Sequence, residues 1–317
     1  MSLNDILDII PSDTPENKRI VMLDFYNMVF RYVSISHKNN PLDEKFTDWK
    51  YMMTYGLLKI VKQFKPDQFI IAVDQGSSWR KKIYPDYKGT RKSNRDGSGI
   101  NFDIFFPILT DYIESLKELL PNVYILGSDT IEADDFIAVL VKRLDGNEII
   151  NISTDKDFYQ LYKYKGYKQY HPMTKKFIKI LNPYLELHIK LLTGDTSDNI
   201  PQVRKQMGPA TAEKYYKKID ELFVLDGDKL SNPEKNIKPG IIESKYILNK
   251  QLIDFELIPL EIQYTINKLY DTYDIKPYNG RKAYDNFTKH NLTKVLGYIQ
   301  DFNAVFKPLK SYKELLV

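Results

Sequence analysis

Short apolar runs that stop on an acid or a small polar turn constrain this chain more than any other feature. Ile20 to Leu23 ends at Asp24, Phe69 to Val73 ends at Asp74, Val123 to Leu126 leads into Gly127 and Ser128, and Glu148 to Ile152 leads into STDKD. Runs of this length, rich in aliphatic residues and bounded by turn formers, read as buried strands. Segments with helical spacing separate them: Trp49 to Phe64, Ile104 to Leu120 and Ala133 to Leu144, the last placing Ala133, Ile137, Leu140 and Leu144 on one face. Strand, helix, strand alternation predicts an α/β fold with a mostly parallel central sheet flanked by helices. In such sheets the ligand crevice lies beyond the carboxyl ends of the strands, which is where the acids stand.

After about Asn182 the pattern becomes helical, as in Tyr184 to Leu192, Ala210 to Lys218, Ile241 to Leu248 and Pro259 to Leu269. A boundary at Asn182-Pro183 divides the chain into a core, 1–182, and a helical part, 183–317. Between the second and third strands, 75–101 is a long stretch with GSS, KGT and KSNRDGSG and little apolar content, so it is either functional or a solvated excursion. There is no internal repeat. The 317 residues contain no cysteine, which removes a disulfide framework and fits a reducing cytoplasm. MSLNDILDIIPSD does not resemble a signal peptide, and no apolar run approaches the roughly 20 residues that span a bilayer.

The acids form a constellation: Asp24, Asp74, Glu132, Asp134, Asp135, Asp155, Asp157, Asp195 and Asp198. Each has an ordinary explanation. Asp24 and Asp74 suit turns or caps, TDKD and GDTSDN suit a turn and a helix start, and Glu132 to Asp135 suit the positive end of a helix. Crowding argues for more: two carboxylates about 4 Å apart repel by roughly 4 kcal/mol at an effective dielectric near 20. Solvent, protonation or a cation must offset that repulsion in EADDFIAVLV. Oxygen donors without histidine or cysteine select Mg²⁺ or Mn²⁺ over zinc. The carboxylates suffice for two such ions, the arrangement that activates water and stabilises both oxygens of a phosphodiester displacement.

Net charge is only +4, from 46 Lys plus Arg against 42 Asp plus Glu. With the nine candidate acids set aside, 33 acidic residues face 46 basic ones, an excess of 13, so a basic surface surrounds an acidic pocket. Between Arg80 and Arg95 the bias is strongest, with Arg80, Lys81, Lys82, Lys88, Arg91, Lys92 and Arg95 against Asp86 alone. That distribution favours a polyanionic partner.

In order along the chain, VMLDF, IIAVD, IYPDYKGTR, IEADDFIAVLV, ISTDKDF and LLTGDTSDNIP resemble the 5′ nuclease family of flap endonucleases and bacterial DNA polymerase I 5′ nuclease domains. Its bacteriophage branch is similar in detail to IAVLVK after the ADD motif and to HPMTKKFIKI. The resemblance implies a PIN-like nuclease core and a two-Mg²⁺ enzyme, with Mn²⁺ able to substitute. One metal site matches Asp24, Asp74, Glu132, Asp134 and Asp155; the second matches Asp157, Asp195 and Asp198 with shared carboxylates. Asp135 matches an acid that supports the ligands rather than binding metal.

The resemblance also implies that 75–101 is an arch or clamp over the site. Lys88 and Arg91 match a basic pair on the scissile phosphate, Arg80, Lys81 and Lys82 would track the backbone, and Tyr84 or Tyr87 would stack a terminal base. GDTSDNIPQVRKQMGPATAEKYY resembles a helical hairpin that grips duplex DNA, with Arg204, Lys205, Lys214, Lys217 and Lys218 near phosphates and Gly208 making the tight turn. Arg204, Lys205 and Gln206 replace the usual Pro-Gly pair of that turn, which puts its cation site in doubt.

The activity implied is 5′ to 3′ exonuclease and flap cleavage of DNA duplexes and RNA:DNA hybrids, removing primers and flaps in lagging-strand replication. The chain would act as a monomer in the cytoplasm, that of the host if phage-encoded. LNDILDII would dock a sliding clamp or be an ordinary frayed helix, and the C-terminal part would meet a single-strand binding protein. Two alternatives are a non-catalytic binder of flaps or branched DNA and a PIN-like endoribonuclease; Asp198 and the Lys88 region speak against the latter.

Overall fold

A computed structural model of the chain describes residues 18–39, 47–91, 99–227 and 241–309. LNDILDII, Lys92 and Arg95 lie outside the described residues. In chain order the elements are β1 (Arg19–Asp24), α1 (Phe25–Asn39), α2 (Thr47–Phe64), β2 (Gln68–Asp74), α3 (Arg80–Ile83), α4 (Phe102–Leu119), β3 (Tyr124–Ser128), α5 (Ala133–Arg143), β4 (Glu148–Ile152), a 3-10 turn (Asp157–Lys163), β5 (Tyr167–His171) and β6 (Lys176–Phe177). There follow α6 (Pro183–Thr193), α7 (Pro209–Lys214), α8 (Ile219–Gly227), α9 (Ile241–Ile253), a 3-10 turn (Phe255–Leu257), α10 (Leu260–Asp271), α11 (Gly280–Lys289), α12 (Thr293–Leu296) and α13 (Ile299–Phe306).

The sheet runs β3-β2-β1-β4-β5-β6, parallel through β5, with β6 antiparallel at the edge. Because successive strand residues face opposite sides, Val21 and Leu23 enter one core with Phe69, Ile71 and Val73, while Ile20 and Met22 enter the other with Ile70 and Ala72. With both faces buried, the carboxylates Asp24 and Asp74 fall at strand ends. Strand order turns back between β1 and β4, so the crevice expected at such a switch lies beyond Asp24 and the β4 turn.

Residues after 182 pack in three places. α10 lays Ile262, Ile266 and Tyr270 against the α5 face. Ala283, Phe287, Val295, Phe302 and Phe306 join the opposite core with α1, α2 and α4. The stretch from α6 to α9 builds clusters of its own around Leu192, Val203, Met207, Ala212, Leu222 and Ile242, and around Leu191, Ile200, Leu252 and Ile253 with Tyr87.

Two elements of the core escaped the sequence reading. α1 has buried Phe25, Met28, Val29 and Val33 at helical spacing, but polar and aromatic residues interrupt the run. β5 carries Lys168 and Gln169 between tyrosines and lacks an aliphatic run, yet Tyr167 and Tyr170 are buried. α7 stops at Lys214 rather than running to Lys218, with Lys217 in the left-handed region at φ +63°.

Phe302 is fully buried and meets Phe287 at 5.1 Å and Phe306 at 5.3 Å. Phe302→Ala is expected to lower unfolding free energy by about 3–5 kcal/mol, measured by urea titration; a change under about 1 kcal/mol would show that these helices are peripheral.

Candidate metal and nucleic-acid site

The crowded acids of EADDF stay close once folded but take different partners. Glu132 precedes α5, and Asp135 reaches back to accept its backbone N–H at 3.2 Å. Asp135 is fully buried, with both oxygens engaged: Arg80 Nη2 donates at 2.8 Å and Nη1 at 3.1 Å, and Trp79 Nε1 at 2.8 Å. Glu132 accepts from Ser78 Oγ at 2.5 Å, Arg80 Nη1 at 2.7 Å, Tyr87 Oη at 3.2 Å and Lys88 Nζ. Burial alone would raise the Glu132 pKa, but Lys88 and Arg80 hold it at about 2. Oxygens of Glu132, Asp134 and Asp135 approach within 4.8 Å of one another. Because Arg80 and Lys88 together balance Glu132 and Asp135, Asp134 is the one left over.

Asp134 Oδ1 is buried without a hydrogen-bond partner among the described residues. Burial raises its pKa well above the usual range; Arg80 opposes that, while Glu132 and Asp135 add to it. Asp134 lines a cavity of about 670 Å³ with Asp24, Asp74, Asp155, Lys88 and Arg91. At the end of β1, Asp24 accepts from Asn27 N–H at 3.2 Å and Ser153 Oγ at 3.0 Å. Its pKa is pushed up to about 7, first by burial, then by Asp74 and Asp155. Asp74, ending β2, accepts the Ala133 N–H at 2.9 Å, and burial raises it as well. Carboxylates raised by burial and by one another, around an unpartnered buried oxygen, are what a hard divalent cation relieves.

Asp157, Asp195 and Asp198 stand next to this cavity without lining it: the Asp157 N–H donates to Asp155 at 2.9 Å. Lys190, on α6, seats its ammonium between Asp157 and Asp195, 2.9 Å from the latter. Burial would raise the Asp195 pKa, but Lys190 and the Ser197 N–H and hydroxyl bring it below the ordinary value. Asp198 pairs with Arg91 at 2.7 Å, lies 3.8 Å from Lys88 Nζ, and accepts from Tyr87 Oη at 3.2 Å.

Several expectations are corrected. Arg80 is 2% exposed and committed to carboxylates and a backbone carbonyl, so it cannot track a nucleic-acid backbone. Tyr87 is buried against Glu132 and offers no stacking face. Tyr84 packs half-buried on the same apolar cluster, whereas Lys81 and Lys82 remain exposed. The part of 75–101 from 75 to 91 is no solvated excursion: Ser77 and Trp79 donate backbone N–H groups to Asp129 and Thr130 carbonyls at 2.7 and 3.0 Å. Gly76 permits that approach, since at φ +69° an added Cβ would stand 2.5 Å from the Asp129 carbonyl oxygen. Gly208 does not make the tight turn. Its φ is −84°, it caps α7, and Gln206 takes the left-handed conformation at φ +60°. Lys205 and Lys214 are exposed there, and Arg204 is half-buried near the Tyr215 ring.

Tyr26, Phe30 and Arg31 line the carboxylate cavity but were missed with α1. Their spacing behind Asp24 was the available signal. Arg31 Nη2 donates to Thr154 Oγ1 at 3.1 Å, while its buried Nε has no hydrogen-bond partner among the described residues.

A parallel α/β core with a cation-seeking carboxylate pocket at its switch point, rimmed by lysine and arginine, defines a class of metal-dependent phosphodiesterases. The signature of the 5′-3′ exonuclease N-terminal, resolvase-like domain matches residues 19–184. Ribonuclease H of Enterobacteria phage T4 is 32% identical over 254 residues, which cover 77% of this chain and 82% of that protein. The flap endonuclease Xni of Shewanella piezotolerans is 26% identical, covering 78% and 94% respectively. T5 5′-exonuclease, solved with divalent zinc bound, superposes with a TM-score of 0.60 at 20% identity, over 79% of this chain and 97% of that one. The chain therefore belongs to the 5′-3′ exonuclease family and is a hydrolytic 5′ nuclease.

Asp24 gives a pH test in the absence of divalent ions. Its folded pKa, about 7, lies above its ordinary 3.8, so the native state holds the proton more tightly and stability from this group is lost as pH rises from about 4 through 7. Asp24→Asn should lack that component. Melting temperatures of wild type and variant in EDTA should diverge across this window in the variant's favour; parallel curves would remove Asp24 from the strained set.

Proposed function

We propose that this nuclease uses Mg²⁺, with Mn²⁺ able to substitute, to cleave near the 5′ ends of DNA duplexes, flaps and RNA:DNA hybrids, removing primers and flaps during replication. The observation that carries the reading is Asp134 Oδ1, buried and unpartnered among the described residues beside Asp24, Asp74 and Asp155, in the cavity that Lys88 and Arg91 also line. Relatives named ribonuclease H, flap endonuclease and DNA polymerase I support the substrate range.

Asp24, Asp74, Asp134 and Asp155 would hold the first ion, with Glu132 facing it from behind Lys88. Asp157, Asp195 and Asp198 would hold a second once Lys190 and Arg91 turn to other anions. The ions, when bound, supply an activated water and offset charge on the phosphate. The chain supplies orientation. Lys88 is fixed in the left-handed conformation, φ +58°, by its backbone N–H donating to the Asp198 carbonyl at 2.8 Å. Its ammonium and the Arg91 guanidinium thus sit at the rim, where a scissile phosphate would exchange for Glu132 and Asp198 as their partner. Tyr26, Phe30 and Arg31 extend the cavity along α1. The α6–α7 hairpin, with exposed Lys205, Lys214, Lys217 and Lys218, would grip duplex phosphates without reading sequence.

On 5′-labelled flap DNA and an RNA:DNA hybrid, short products should appear with Mg²⁺ and not with EDTA. Asp134→Asn should lower cleavage at least about a hundredfold while DNA binding persists; full cleavage by that variant would refute the ligand assignment. Lys190→Met should lower the melting temperature in EDTA, by leaving Asp157 and Asp195 uncompensated, and should enlarge the stabilisation Mg²⁺ provides. Equal Mg²⁺ shifts in wild type and variant would mean that Lys190 does not compete for that position.

A further inference from the structure

Two buried side chains from other parts of the molecule donate to the last turns of α9, and a third donates from that helix outward. Arg80 Nε donates to the Leu252 carbonyl at 2.7 Å. Gln160 Nε2 donates to the Ile253 carbonyl at 3.1 Å, and its Oε1 accepts the Phe255 N–H at 2.9 Å. Asn249, on α9 itself, donates to the Leu191 carbonyl at 2.9 Å and the Pro201 carbonyl at 2.8 Å. The three are 2%, 4% and 0% exposed. A helix end has free carbonyls that any nearby donor or water satisfies, so capping accounts for one such bond. It does not account for where the donors come from. Arg80 also holds Glu132 and Asp135, and the Gln160 amide also donates to the Asp157 carbonyl at 2.9 Å. Leu191 and Pro201 belong to the hairpin, which closes between Asp195 and Ile200. One helix end is thus bonded to the α5 acids, to the turn after β4 and to the hairpin.

We propose that Arg80, Gln160 and Asn249 are positioning residues that fix α9 as a spacer between the duplex-gripping hairpin and the cleavage pocket, and so set which phosphodiester is cut. This rests on the nuclease reading given above. A duplex held by the hairpin reaches the carboxylates at a distance set by the joints between hairpin and core, this helix end among them beside the Lys190–Asp157 and Arg91–Asp198 pairs, and a misplacement of about 1 Å at a reacting centre is enough to cost about a hundredfold in rate. Freed from the joint, the hairpin carries the duplex to neighbouring offsets, and bonds to either side of the original one enter the pocket.

The test uses the full chain with Mg²⁺ and a 5′-labelled flap resolved at single nucleotides. Wild type should give one dominant product. Gln160→Met, close in volume and without donors, should lower cleavage at that position by roughly tenfold and add products displaced by one or more nucleotides. Arg80→Lys, which keeps the charge beside Glu132 and Asp135 but loses the bond to Leu252, should shift products the same way. Asn249→Ala carries the same expectation should either variant fail to fold by circular dichroism. A folded variant that cuts only at the wild-type position, at whatever rate, overturns the proposal. Absence of Mg²⁺-dependent cleavage by wild type overturns the nuclease reading and this proposal with it.

Discussion

The Arg80 guanidinium, buried between Glu132 and Asp135, is the interaction on which the rest of the site depends. Two carboxylates taken out of water beside each other at the head of a helix are tolerable when a fully desolvated cation shares them. Removing one member of such a group leaves an unpaired buried charge, which costs about 3–5 kcal/mol. Trp79 completes the arrangement, donating to Asp135 while the guanidinium lies 4.5 Å from its ring centroid. With Glu132 and Asp135 satisfied, Asp134 is the member of this acidic group left to the cavity, beside Asp24, Asp74 and Asp155. The same side chain holds the loop after β2 against the core and ties α9 to it.

Around this group the sheet decides where charge can gather. Both faces are covered, by α1, α2, α4 and the last helices on one side and by α5 and α10 on the other. Buried carboxylates are kept to the strand ends, so Asp24 and Asp74 emerge at the carboxyl ends, with Ser153 to Asp155 following β4. Crowding there raises the carboxylate pKa values, and the lysines and arginines on the rim form the ion pairs available without other cations. Lys88 on Glu132, Arg91 on Asp198 and Lys190 between Asp157 and Asp195 are three instances of that compensation.

Much of this was legible in the chain. The first four strands and the helices from Trp49, Ile104 and Ala133 follow from apolar runs and helical spacing, and the sheet order places their acids at one edge. Asp135 as a supporting acid was implied by the family resemblance. Arg80 was not legible. In sequence it belongs to a basic run with Lys81 and Lys82, and nothing local distinguishes the one residue of the three that turns inward. Its partners lie 52 and 55 positions away. Lys190 was invisible for the same reason, and β5 was missed because its burial comes from tyrosines between polar residues.

What the sequence determined by itself is the set of chemical groups and their edge of the sheet: oxygen donors without histidine or cysteine, basic residues nearby, and strand and helix periods that dictate a parallel core. Only the tertiary structure decided which of those charges cancel one another. Periodicity and spacing act over a few residues, whereas the state of a buried charge depends on whichever groups, from anywhere in the chain, come within hydrogen-bonding distance once water has been removed.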